Sequence, residues 1–340
     1  MSETVQTVAE SKSANRQAAR PRGIVTRYGE RYALLIAWLL VAVLVAVAIP
    51  GIFLRTDTLQ TIFGTQSVLL VLALGLLFPL LTGLFDLSIA SVLTLSAMTV
   101  ALLNAQHGVP LPLAVLAGLG VGLVVGAINA LLIVVFDLDS FIVTLGTSTL
   151  LLGVVQLVSQ GQTVSGVDPT LTRFVTSIRV AFISLSFWGA LLLCVVVWVL
   201  LTRTPLGRRL LVVGRNPEVA RLSGLNTRRL RAGALIACSL LASLAGAVSV
   251  GTQGGADPTS GAAFLLPAFA AVYLGATAVT PGRFNVWGTF TAVYFLVTGI
   301  TGLQLLGVPN FVQQLFYGGA LVIAVGLSRL ARRRSVRPTS

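Results

Sequence analysis

Long stretches without a formal charge alternate along the chain with short stretches crowded with arginine. The charge-free stretches are Thr58–Phe85, Leu87–Phe136, Ser140–Val167, Val180–Thr202, Ala232–Ala256, Pro258–Gly282 and Phe284–Ser328, and they follow an apolar run at Tyr32–Phe53. Each is a candidate membrane span. Tyr32–Phe53 is 22 residues long, whereas the apolar core of a cleaved signal has roughly 7–15. At ~1.5 Å per residue it crosses a ~30 Å hydrocarbon layer, so it reads as the first span. Leu87–Phe136 is too long for one span and breaks at Asn104–Pro112, where Gly and Pro mark a turn. Phe284–Ser328 breaks more weakly around Gly302–Pro309. The pattern predicts ten transmembrane helices, an all-α polytopic membrane bundle over residues 31–330.

Composition agrees. Hydrophobic residues make up 56% of the 340 positions and charged residues 10%, where a soluble domain carries about 25% charged. Too little charge remains to cover a soluble surface. Cys194 and Cys238 lie in apolar runs and read as small hydrophobes, not as a disulfide framework.

The net charge is +13, but the basic residues flank apolar runs instead of forming a nucleic-acid surface. Five arginines lie between Arg16 and Arg31, eight between Arg203 and Arg231, and five between Arg329 and Arg337. With ten spans and both termini cytoplasmic, nineteen arginines fall inside and three (Arg55, Arg173 and Arg179) outside. Residues 1–30 then form a disordered cytoplasmic tail, 203–231 a cytoplasmic loop and 331–340 a basic cytoplasmic tail.

Inside the spans, Gly118, Gly122 and Gly126 fall at i, i+4 and i+8, a smooth stripe for another helix, either within the chain or at a subunit interface. Sparse polar residues, Gln66, Asn129, Thr144, Gln156, Gln313 and Gln314, either hydrogen-bond a polyhydroxylated solute in transit or tie helices together. Asp86 sits between two apolar runs in Leu81-Thr-Gly-Leu-Phe-Asp-Leu-Ser88. It either N-caps the next helix or serves as an ion-coupling acid in a broken helix. The polar connection Ser159–Ser186 is the largest outer segment, either a docking place or a plain loop.

The loop at 203–231 contains a well-punctuated short helix. Asn216 suits the N-cap, Pro217 the first turn, Glu218 the positive end of the dipole and Gly224 the left-handed stop. About two turns of helix are unstable alone, so this one needs something to pack against. Val219 and Leu222 share one face and Arg221 points elsewhere. Such a basic knob suits the receipt of mechanical work from a soluble partner; alternatively it rests on its own bundle or on anionic lipid. The chain has no phosphate-binding Gly-Lys loop, no metal cluster and no convergent acid–base set, so neither an enzyme nor a cofactor is expected.

Four segments in order resemble the permease subunits of the ribose/simple-sugar branch of ABC importers, which are related to the branched-chain amino acid permeases. They are Leu81–Ser88, Ser140-Phe-Ile-Val-Thr-Leu-Gly-Thr147, Gly207–Asn216 with Ala220–Asn226, and Leu274–Thr289. The chain departs from the family pattern at Leu84, Phe85, Asp139, Ala276, Pro281 and Phe284, which leaves the solute open. The resemblance implies a bacterial inner-membrane subunit that forms the path for a sugar or sugar-like solute. It also implies cytoplasmic ATPase subunits, an extracytoplasmic solute-binding protein, a second permease chain and a lipid surround. Asn216, Pro217, Glu218, Arg221 and Gly224 would belong to the element seated on the ATPase. Asp86 and Ser88 match the family's Asp-Leu-Ser motif and, with Asn129, Thr144 and Gln156, are candidates for the path. The competing reading is an ion-coupled secondary transporter that uses Asp86.

Overall fold

The computed structural model describes the backbone of residues 24–309 and 311–336, and side chains over 31–326 apart from Thr65 and Asn310. The helices are α1 Ile24–Ala48, α2 Ser67–Leu81, α3 Ile89–Ala101, α4 Leu111–Ala130, α5 Ser140–Ser159 and α6 Leu185–Thr202. Two short helices follow, α7 Pro205–Arg215 and α8 Pro217–Leu222. The remainder are α9 Thr227–Gln253, α10 Ala262–Gly275, α11 Val286–Leu305 and α12 Phe311–Val336. Helix α1 begins inside the segment read as an N-terminal tail, and α12 runs into the one read as a C-terminal tail. The rest of those tails, 1–23 and 337–340, lies outside the described residues.

Each of the ten expected spans is a helix. Eight are long and apolar enough to cross a bilayer. Helix α10 has only 14 residues, about 21 Å at the helical rise and short of the ~30 Å core. Its expected range, Pro258–Gly282, is largely turn at both ends. The turn before it is inserted into the bundle: a Cβ on Gly261 would strike Thr94 Oγ1 and the Ala90 carbonyl of α3.

Helix α2 is buried at all of its 15 residues. A helix apolar on every side must be enclosed either by lipid or by protein, and here protein does it: α9, α10, α11 and α6 pack around it. Helix α9 forms the second axis, lying against α2, α3 and α4. The glycine stripe of α4 packs within the chain. Gly118 sits on Val100 and Ser96 of α3, Gly122 on Ser243 and the Ser239 carbonyl of α9, and Gly126 on Ile236 and Ser239. Tyr294 of α11, fully buried, gathers Phe63, Phe187, Phe290 and Trp38 around its ring at centroid distances of 5.1, 6.0, 4.8 and 6.1 Å. The Trp38 Nε1–H donates to Thr298 Oγ1 at 3.0 Å, which fastens α1 to α11.

Among the described residues, strand pairing is confined to two miniature ribbons. β1 Val164–Ser165 pairs antiparallel with β4 Gly255–Ala256, and β2 Arg179–Val180 with β3 Ile183–Ser184.

Candidate functional site

Helix α2 ends in a turn, not in a continuing span. Thr82 N–H and Oγ1–H both bond the Pro79 carbonyl, and Gly83 takes φ +80, the left-handed conformation that suits glycine. Residues 84–87 then run without regular structure until α3 starts at Ile89. Helix α5 holds this segment in place. Ser140, Thr144, Thr147 and Ser148 recur at i, i+4, i+7 and i+8 and so share one helical face. Phe85 N–H donates to Ser140 Oγ at 3.1 Å, Leu87 N–H donates to Thr144 Oγ1 at 3.0 Å, and the Ser91 and Ser148 hydroxyls meet at 2.7 Å.

Asp86 is fully buried at the centre of this seam. A directional chain ends on it: Thr147 Oγ1–H donates to Asn129 Oδ1 at 2.8 Å, Asn129 Nδ2–H to Ser88 Oγ at 2.9 Å, and Ser88 Oγ–H to Asp86 Oδ1 at 2.6 Å. Ser88 N–H also donates to Asp86 Oδ1, at 3.0 Å. The second carboxyl oxygen, Oδ2, is buried without a hydrogen-bond partner among the described residues. The expected N-cap role is corrected: Ser88 holds the N-cap position of α3, and Asp86, two residues before it, folds back onto Ser88. The physical reason is the extended stretch 84–87, which is held to α5 and delays helix initiation.

Asp86, Ser88, Asn129 and Thr144 therefore come together in one buried seam. Gln156 does not: it lies three turns further along α5, on an exposed face. Ser140, Ser91, Thr147 and Ser148 join the seam without having been singled out. Their spacing along α5 was the available signal.

The basic loop forms a second structured element. Thr204 caps α7 by accepting from Leu206 N–H at 3.2 Å. Helix α7 buries Gly207, Leu210 and Val213, while its arginines Arg208, Arg209 and Arg215 are exposed. Asn216 Oδ1 accepts from Glu218 N–H and Val219 N–H, both at 3.1 Å, and starts α8. Gly224, at φ +78, closes it, with Gly224 N–H on the Arg221 carbonyl at 3.0 Å and Leu225 N–H on the Ala220 carbonyl at 3.1 Å. Helix α8 rests on the protein through Ala220, which is fully buried. Pro217, Glu218 and Arg221 are exposed, and so are Val219, at 51%, and Leu222, at 82%.

At the other end of the bundle, three connections are laced together. Asn104 donates to the Val109 carbonyl at 3.0 Å and accepts from Asp168 N–H at 2.8 Å. Thr163 Oγ1–H donates to Asp257 Oδ2 at 2.9 Å beside the β1–β4 pair. Hydrogen bonds from Thr259 to its side chain hold the Asp257 carboxyl below its ordinary value, and Thr170 does the same for Asp168.

Among the described residues no group of His, Cys, Asp and Glu could hold a metal ion. The family model for the branched-chain amino acid transport system / permease component matches residues 58–325. The ribose import permease protein of Bacillus subtilis (strain 168) is 33% identical over 292 residues, covering 85% of this chain and 90% of the relative. The D-allose transport system permease protein of Escherichia coli (strain K12) is 31% identical over 281 residues, covering 83% and 86%. The fructose import permease protein of Rhizobium meliloti is 28% identical over 306 residues, covering 88% and 85%. No solved structure matches the chain.

Proposed function

The chain belongs to the family of permease components of the branched-chain amino acid transport system type, and from that premise we propose that it forms the path of an ATP-driven importer for a sugar or sugar-like polar solute. It is a multi-pass subunit of the bacterial inner membrane and not an enzyme; hydrolysis of ATP belongs to a separate chain. The sugar is inferred from relatives named for ribose, allose and fructose.

The observation that carries the coupling part of this reading is helix α8. Its one buried residue is Ala220, while Val219 and Leu222 stand in the open, each next in sequence to a charged residue, Glu218 and Arg221 respectively. An exposed apolar pair on a capped, rigid knob is what a soluble partner needs to grip. Asn216, Pro217 and Gly224 shape the knob, and Glu218 and Arg221 set its register against the ATPase. The density of arginine along 203–231 supports a cytoplasmic position for it.

A second permease chain suits helix α5. Gly146, Thr149, Gly153 and Gln156, spaced by three, four and three residues, are all exposed along one line. Small and polar side chains are poorly matched to lipid tails and well matched to another helix or to a watery path. We place Gln156 in that path and assign Asp86, Ser88, Asn129 and Thr144, all fully buried, to the seam that braces its wall from behind. The laced connections at the opposite end suit a solute-binding protein. Neither the family nor its named relatives support the ion-coupled reading built on Asp86.

The test is reconstitution. Uptake of ribose or allose into liposomes is expected only when the ATPase, the solute-binding protein and ATP are all supplied. Sugar movement by this chain alone down a proton or sodium gradient would overturn the proposal.

A further inference from the structure

The connection between α5 and α6 carries an apolar surface that the bundle does not use. At its end, β2 and β3 form a hairpin whose two turn residues, Ala181 and Phe182, have φ of 51° and 65°. This is the primed turn that suits a two-residue hairpin, but its usual occupants are Asn and Gly, because left-handed backbone is unfavourable for residues with larger side chains. The strained turn displays Phe182 at 78% exposure. Phe174 (59%), Ile178 and Val180 are also exposed in the preceding ten residues. Arg173 and Arg179 are interspersed with them, and residues 169–188 contain no acid.

The hairpin is attached to the first turn of a candidate span. Leu185, the first residue of α6, directly follows β3, and Trp188 Nε1–H donates to the Val180 carbonyl at 3.0 Å, so an interfacial-type aromatic ties the tip to its span. Helix α6, a candidate span, continues with an exposed apolar face at Leu192 and Val196 that suits lipid. The aromatic tip is thus continuous in sequence with a lipid-facing helix, and its only formal charges are of the sign that attracts phosphate.

We propose that the 173–182 segment is an interfacial anchor. Phe174, Val180 and Phe182 enter the headgroup–acyl boundary of the adjacent leaflet, and Arg173 and Arg179 bind phospholipid phosphates. The occupant is phospholipid; the solute-binding protein and a second copy of the chain are the rival occupants. The inference rests on the chain's spanning a bilayer and not on its cargo. Its role is to pin the longest connection on this face of the bundle to the membrane beside α6.

The experiment uses the full chain with its ATPase in nanodiscs of phosphatidylethanolamine and phosphatidylglycerol. Nitroxide labels are attached at F182C and, separately, at F174C. Cys194 and Cys238 are both buried and free, so they make a quiet background. A label at S165C serves as the aqueous reference. Electron paramagnetic resonance saturation is expected to show both test sites more accessible to oxygen than to a water-soluble nickel chelate, the reverse of S165C, and unchanged when the solute-binding protein is added. Preferential nickel access at both sites overturns the proposal. Protection from both reagents also overturns it, by a second copy if present from the start and by the solute-binding protein if seen only on its addition. Because no uptake is measured, failure here is separate from failure of the transport reading.

Discussion

Gly214 of α7 packs directly on the carbonyl oxygen of Leu81, the last residue of α2. A Cβ at 214 would collide with that carbonyl, and Gly83 faces the Gly214 carbonyl from the other side. The basic loop is therefore in rigid contact with the end of the most buried helix, just before the segment that carries Asp86. Gly214→Ala is expected to destabilise the protein by about 1–3 kcal/mol through overpacking against backbone that has nowhere to go. The measurements are thermal unfolding in detergent and sugar transported per ATP in liposomes. An unchanged midpoint with unchanged uptake would show that the contact is dispensable.

Removal of the middle member of the seam is costly. Asn129→Ala leaves the buried Ser88 and the half-buried Thr147 hydroxyls each short of one partner, a loss of about 1–3 kcal/mol. Asn129→Leu, apolar and similar in volume, leaves the same groups unsatisfied and should not rescue. Unfolding midpoints of the pair settle the point, since a purely volumetric effect would separate them.

Asp86→Asn keeps an oxygen that accepts from Ser88 and removes the ionisable carboxyl. If the seam is structural, ATP-driven uptake stays within a few-fold of wild type, while Asp86→Ala, which orphans Ser88, falls much further. Abolition of uptake by Asp86→Asn in a correctly folded complex would instead mark the carboxyl itself as essential.

On the exposed knob, Leu222→Asp is expected to leave the fold intact, because Leu222 is 82% exposed, and to reduce co-purification of the ATPase sharply. The double change Glu218→Arg with Arg221→Glu reverses both charges without touching the Asn216 cap, and is expected to uncouple ATP hydrolysis from uptake. Normal transport by both variants would remove α8 from the interface.

Acid should loosen the laced end of the bundle. The Asp257 carboxyl lies below its ordinary value near 3.8 because Thr259 and, less strongly, Thr163 donate to it. A group depressed in the folded state contributes stability above its unfolded value and loses it as pH falls through the lower folded value. Protection of the Val164 and Ala256 amides, relative to their intrinsic exchange rates, should therefore fall below about pH 4. Asp257→Asn, which cannot titrate, should flatten that dependence.

Much of the bundle is visible in the placement of charge alone, because a bilayer tolerates few charges and their absence marks the spans. The caps of α8 were equally legible, since Asn216, Pro217 and Gly224 each have a local physical role. Helix α7 was not read, although Thr204-Pro205 uses the same start signal as Asn216-Pro217; its three arginines (Arg208, Arg209 and Arg215) and the flanking Arg203 made the stretch look like loop. The short α10 was hidden because apolar composition does not distinguish helix from turn buried against α3. Asp86 misled for a tertiary reason: its helix starts late because α5, 55 residues away in sequence, holds the backbone of Phe85. No local pattern around Asp86 contains that information.

Helix α2 touches no lipid, since all of its 15 residues are covered by neighbouring helices. A rod enclosed in this way has no free side about which to pivot alone. Any rearrangement of the bundle therefore carries α2 as part of a block with α9 and α10.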